Sequence, residues 1–375
     1  MNFDFSDDQK MLRDQARKFL TERCSAKVVR ASLDQDVGID RSLWKAIAEM
    51  GWLGTSIPES HGGLGLGYLE LCVIAEEMGR SLAPVPFSST VYLAGEAIML
   101  AGSDAQKQAH LPKIAAGEVI GCLAIAEGAH PPLAKNIEVT FRNGKLDGRK
   151  VPVTDGGVAD FAVVVARSGD GRGPRDISLA LVDLKGPGVT RHRVKTLDPS
   201  RDQVEITFAG APAELLGAQG EGWAITERVL DRAAILTAFE QVGGADATLL
   251  QAKDYALNRY AFGRQIASFQ AIKHKLADMY VYNELARSNA YYGAWALSTN
   301  APELGIAAAA ARVSATQAFH YAAKENIQTH GGMGFTWEFD CHLFYRRSKL
   351  LALSLGSERA WKDKLIARLE SRNAA

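Results

Sequence analysis

The sequence predicts an α+β fold: an N-terminal helical domain, a middle β-barrel-like domain and a C-terminal helical domain. Three observations carry that expectation. Apolar residues recur at helical spacing through the first third of the chain, short strand-like apolar runs replace them after residue 116, and helical spacing returns from residue 217 to the end. The boundaries read this way are 1–116, 117–216 and 217–375, in keeping with the roughly two to three domains that a 375-residue chain implies.

Composition sets outer limits on function. Apolar residues at 47% and charged ones at 23% are ordinary for a globular chain. Lys+Arg and Asp+Glu number 43 each, so no excess of positive charge is available to attract nucleic acid or an anionic membrane. Cys24, Cys72, Cys122 and Cys341 have neither metal-ligand spacing nor a disulfide framework, which suits a reducing compartment. The opening Met-Asn-Phe-Asp-Phe-Ser-Asp-Asp is acidic, lacks an apolar signal core, and no apolar run approaches spanning length. The expectation is a soluble cytoplasmic protein.

In chain order, Ser6-Asp-Asp-Gln9 has the form of a capping box, and Met11, Leu12, Ala16, Phe19 and Leu20 continue at helical spacing. Trp44, Ile47, Ala48 and Met50 extend the pattern to Gly51. The breaker-rich loop Gly51-Trp52-Leu-Gly-Thr-Ser-Ile57-Pro58-Glu59-Ser-His61-Gly62-Gly63-Leu-Gly65 follows. A helix is expected over 68–80, closed by Pro84 and Pro86. Strand-like runs then fall at 123–126, 137–141, 162–166, 178–182 and 204–208, with Asn143-Gly144 as a hairpin turn.

Two segments of the last third carry the chemical signal. The first is Arg259-Tyr-Ala-Phe262-Gly263-Arg264-Gln-Ile-Ala-Ser-Phe269-Gln270, and the second is Gln328-Thr-His330-Gly331-Gly332-Met-Gly334-Phe335-Thr336. Arginine offers a planar charged fork suited to phosphate oxygens, and a glycine pair lets backbone approach a ligand with no Cβ in the way. Each alone has a plain structural reading as a capped helix end. In this order and at this separation they resemble the C-terminal domain of the acyl-CoA dehydrogenases. The Trp-Leu-Gly, Pro-Glu and Gly-Gly-Leu-Gly of the 51–65 loop resemble the N-terminal domain of the same family, so the resemblance spans the chain.

The resemblance implies an FAD-dependent enzyme that desaturates an acyl-CoA thioester and passes electrons to an electron-transfer flavoprotein or similar acceptor. It also implies a C-terminal four-helix-bundle domain and a homo- or heterotetramer with a related chain. One set of flavin-holding residues is reached across a dimer interface, and Arg259, Phe262, Gln270, Gln328, Gly331 and Gly332 match it in full. The other set cradles the flavin ring. There Ile125 and Ala126 precede Glu127-Gly128-Ala-His130-Pro131-Pro132, which departs from the family's Thr-Glu-Pro with a following Gly-Ser-Asp. Pro152-Val153-Thr154 stands for Trp-Ile-Thr, keeping only the hydroxyl of Thr154.

The catalytic carboxylate departs further. The two positions where relatives carry Glu fall on Leu355 and Ala233. Glu240, about two helical turns past Ala233, and Asp231 are the candidate bases. Burial of Glu240 among small apolar residues would raise its pKa toward a useful value. The structural alternative makes it a hydrogen-bond acceptor at a helix contact. Three functions follow: a non-catalytic partner subunit that supplies the cross-interface half of the FAD site, a homo-oligomeric dehydrogenase with a displaced base such as Glu240, or a flavin oxidoreductase of another substrate. Loss confined to the ring side and the base positions favours the first. No motif reads the acyl group, although fatty acid or sterol degradation fits the class.

Overall fold

A computed structural model describes residues 5–33 and 39–374; the acidic opening Met1–Asp4 lies outside them. Helices α1 (Asp7–Arg23), α2 (Ala26–Ala31), α3 (Arg41–Glu49), α4 (Tyr68–Arg80), α5 (Glu96–Ala101) and α6 (Asp104–Ala115) come first. Strands β1 (Gly121–Ala124), β2 (Thr140–Arg142), β3 (Lys145–Thr154), β4 (Phe161–Arg167), β5 (Ile177–Asp183), β6 (Val189–Arg193) and β7 (Gln203–Leu216) follow. The chain ends with α7 (Gly222–Asn258), the short pair β8 (Tyr260–Ala261) and β9 (Arg264–Gln265), α8 (Gln270–Ser298), α9 (Leu304–His330), α10 (Cys341–Leu353) and α11 (Glu358–Ala374). The order helical, β, helical is as expected.

Contacts gather these elements into two compact units, one of Met1–Ala31, Tyr68–Ala83 and Ala234–Ala375, the other of Ser32–Gly67 and Pro84–Ala233. The boundary thus falls within α7, and α4 belongs with the C-terminal helices.

In the β-containing unit the strands close on themselves. β4 pairs with β2, β2 with β3, β3 with β7, β7 with β5, and β5 returns to β4. A closed ring leaves few bare edges. One face of the sheet is an apolar core, with Phe161, Val163, Val165, Ile177 and Leu179 packed with Ile114 of α6 and Val229 of α7. Asn143 and Gly144 both have positive φ, 51° and 71°, as the tight turn between β2 and β3 requires. Two strands depart from the expectation. β3 carries four charged residues, and β6 is an edge strand of Val-Thr-Arg-His-Arg, so neither reads as an apolar run.

In the helical unit the Ser6 capping box forms, with Gln9 N donating to Ser6 Oγ at 3.2 Å and Ser6 N to Gln9 Oε1 at 3.0 Å. Helices α4 and α7 meet backbone to backbone. A Cβ on Gly79 would lie 1.9 Å from the carbonyl oxygen of Glu240, and one on Gly243 would lie 1.9 Å from that of Glu76. Around this crossing, buried Glu77 accepts from Arg17 at 2.7 and 3.1 Å, buried Glu76 pairs with Arg287, and Arg80 pairs with Asp246. Buried carboxylates are tolerable only when so compensated.

Candidate active site

Helices α7 and α9 run side by side in the same direction. Gln241 bonds Thr316 at 3.2 Å, Gly244 faces the Phe319 ring, Gln251 Oε1 accepts from Asn326 Nδ2 at 2.6 Å, and the Tyr255 and His330 rings stack at 4.0 Å. Each pair is 75 residues apart in sequence, so the two helices stay in register. His330 is 4% exposed and its Nδ1 lies 2.9 Å from Asn326 O, an acceptor, which makes Nδ1 the protonated nitrogen. Burial lowers the His330 pKa, which keeps the ring neutral near pH 7.

The next step along this pair reaches the two motif segments. Arg259 N still donates to Tyr255 O at 2.8 Å, and Ile266 N returns to Arg259 O at 2.9 Å, closing the β8–β9 hairpin. At its tip Phe262 and Gly263 have φ of 53° and 78°, and Phe262 is 95% exposed. The Arg264 guanidinium lies 4.1 Å from the Phe269 ring centroid, just before Gln270 opens α8. On the other side Gly331 takes φ 60° and ψ −136°, a region that in practice only glycine occupies. A Cβ on Gly331 or Gly332 would meet nothing within 4 Å, whereas Gly334 packs onto the Ile327 carbonyl. Arg259, Gln270, Gln328, Gly331 and Gly332 are all exposed. Exposed donors beside open backbone fit the diphosphate and sugar of a dinucleotide.

The ring-side residues lie in the β-containing unit, and two of their carbonyls and the Thr154 hydroxyl are engaged within the chain. The Ile125 carbonyl accepts from Lys150 Nζ at 3.0 Å, and the Ala126 carbonyl from Val151 N at 2.8 Å. Thr154 Oγ1 shares hydrogen bonds with the buried Gln203 carboxamide, 3.0 Å from Nε2 and 3.2 Å from Oε1. Lys150 is fully buried, 2.6 Å from Glu127, and desolvation depresses its pKa to about 8 against the pull of that carboxylate. Next to Thr154, buried Asp155 pairs with Arg201 and accepts from Ser89 Oγ at 2.6 Å. Motif reading overlooked Lys150, Gln203 and Arg201. Strand alternation in β3 would have placed Lys150 on the inward face of Leu146.

Of the base positions, Ala233 and Leu355 are buried at 0% and 9% exposure. Asp231 is 8% exposed and Glu240 3%. Glu240 lies in the field of Arg312, a fully buried guanidinium that donates to Gln241 Oε1 at 2.7 Å and to the Leu351 carbonyl. Burial lowers the Arg312 pKa to about 10 while the Glu240 charge holds it up.

These features define a class. Residues 6–118 match the acyl-CoA dehydrogenase N-terminal domain and residues 220–369 the C-terminal domain. The chain belongs to the acyl-CoA dehydrogenase family of flavin-dependent oxidoreductases. It is 32% identical over 366 residues to the acyl-CoA dehydrogenase IpdE2 of Mycobacterium tuberculosis, covering 97% of both chains. Among solved structures it resembles the Tcur3481–Tcur3483 steroid ACAD at TM-score 0.89 and 29% identity, covering 98% of this chain and 99% of that one. It also resembles the ChsE4–ChsE5 complex from Mycobacterium tuberculosis at TM-score 0.89 and 25% identity, covering 99% of both.

Proposed function

We propose that this chain is the partner subunit of a heteromeric acyl-CoA dehydrogenase, supplying the cross-interface half of the FAD site. One contrast carries the reading. The set that would face another chain, Arg259, Phe262, Gln270, Gln328, Gly331 and Gly332, is complete. In the set that would cradle the ring, the Ile125 and Ala126 carbonyls and the Thr154 hydroxyl are already bonded within the chain. Similarity to the two-component ChsE4–ChsE5 structure supports the same reading.

In this role Arg259 would neutralise diphosphate charge, Gln270 and Gln328 would donate to polar oxygens, and the Gly331–Gly332 turn would admit the nucleotide backbone. FAD, when bound, supplies the acceptor for the β-hydride of the acyl-CoA, and an electron-transfer flavoprotein is the fitting onward acceptor. The related chain would supply the α-proton base, because Leu355 and Ala233 carry no carboxylate.

The competing homo-oligomeric enzyme would use Glu240, or less directly Asp231, as base. The position of Glu240 beside buried Arg312 fits a counter-ion instead. The test is to purify the chain alone and together with the product of its neighbouring gene, then record flavin absorbance and acyl-CoA turnover. Flavin and turnover only in the joint preparation support the proposal, whereas a yellow, active chain on its own overturns it.

A further inference from the structure

The register between α7 and α9 assigns a task to two residues that would not touch the nucleotide. Gln251–Asn326 and Tyr255–His330 are successive rungs, four residues apart on both helices. One more step of four runs one residue past the end of α7 to Arg259, whose N–H still donates to Tyr255 O, and the same offset of 75 leads to Gly334, within the Gly331–Phe335 turn. The last rung before the half-site is therefore the Tyr255–His330 stack.

The stack is built to be stiff. The rings are 27° from parallel at 4.0 Å, and Phe339 abuts both, at 6.0 Å from Tyr255 and 5.6 Å from His330. His330 is anchored through Nδ1 to the Asn326 carbonyl one turn back. Beyond the stack the hairpin tip rests on the Phe269 ring, edge-on to Phe262 at 6.2 Å and 4.1 Å from the Arg264 guanidinium. Phe262 is almost wholly in solvent, and a Cβ on Gly263 would meet nothing within 4 Å. We infer that Tyr255 and His330 are positioning residues that set the spacing between the Arg259 guanidinium and the Gly331–Gly332 turn. In this way they set how tightly the diphosphate of a dinucleotide is held. The inference depends on the half-site reading above.

The experiment uses the FAD-loaded assembly purified through a tag on this chain. FAD release after dilution is followed by the rise in flavin fluorescence, beside thermal unfolding, for Tyr255→Leu, His330→Leu, Tyr255→Phe, Gln251→Leu and Arg259→Ala. Tyr255→Leu and His330→Leu should speed release on the order of tenfold or more, because a positioned group displaced by about 1 Å loses most of its effect. Tyr255→Phe keeps the ring and should restore slow release. Gln251→Leu breaks the earlier rung, so it should lower the unfolding temperature yet leave release unchanged. That contrast separates positioning from general stability.

Slow release in both Leu variants would overturn the inference. So would equal acceleration by Gln251→Leu, or failure of both Leu variants to fold, since the stack would then be ordinary core. If Arg259→Ala itself leaves release unchanged, the half-site reading fails. If Arg259→Ala releases FAD while both Leu variants hold it, only the positioning inference fails.

Discussion

Gly79 on α4 rests its Cα against the carbonyl of Glu240 on α7, where a Cβ would fall 1.9 Å from the oxygen. The reciprocal contact of Gly243 with Glu76 lies one turn further along α7. In a solvent-facing helix Gly→Ala would stabilise by roughly 0.5–1 kcal/mol. Here the sign reverses. Gly79→Ala and Gly243→Ala should each destabilise the fold by about 3 kcal/mol or more through overpacking, read as a drop in the denaturant midpoint.

Arg259→Ala should weaken FAD retention in the active assembly. A charge-assisted hydrogen bond contributes about 1.5–3 kcal/mol, or roughly ten- to a hundredfold in affinity. Equilibrium dialysis against free FAD measures it.

Glu240→Gln separates the two readings of function. Loss of a general base lowers turnover by about a hundredfold or more. As the counter-ion of Arg312, Glu240 should instead matter to stability, since leaving a buried charge uncompensated costs about 3 kcal/mol. The expected outcome in the assembly is a lower unfolding temperature with kcat nearly unchanged.

Lys150 gives a pH signature. Its folded-state pKa is about 8 against 10.5 unperturbed, so below pH 8 both folded and unfolded chains hold the proton, and above 10.5 neither does. Between those limits the unfolded chain binds more protons, so unfolding free energy rises with pH. The burial cost is fully present below pH 8 and relieved toward 10.5. Lys150→Met should abolish that rise, visible as parallel denaturant midpoints from pH 8 to 10.5.

The assembly should be a two-fold-symmetric tetramer, because on the proposed reading the exposed Arg259, Phe262 and Gln328 would complete a site against another chain. Light scattering at micromolar concentration measures its mass.

What the sequence made legible was what local chemistry encodes. The Ser6–Gln9 box and the Asn143–Gly144 turn each need only neighbouring residues, and both form. The apolar cores of β4 and β5 stand out as runs, while β3 and β6 do not, because charge is spread along them. At the candidate site, the Arg259 and Gly331 segments announce themselves as motifs. Pairings such as Tyr255 with His330, Thr154 with Gln203 and Lys150 with Glu127 have no signature in the chain. Each depends on residues far apart in sequence that meet only once the helices and strands have packed.

The constant offset between α7 and α9 also bears on how this chain can change length. One residue inserted into α7 between Gln241 and Arg259 would turn everything after it by about 100° around the helix axis. Rungs beyond the insertion would part, and Arg259 would swing away from the Gly331–Gly332 turn. Only a matching insertion in α9 between Thr316 and Gly331 would bring the two rails back into step, so the two stretches can lengthen or shorten only together.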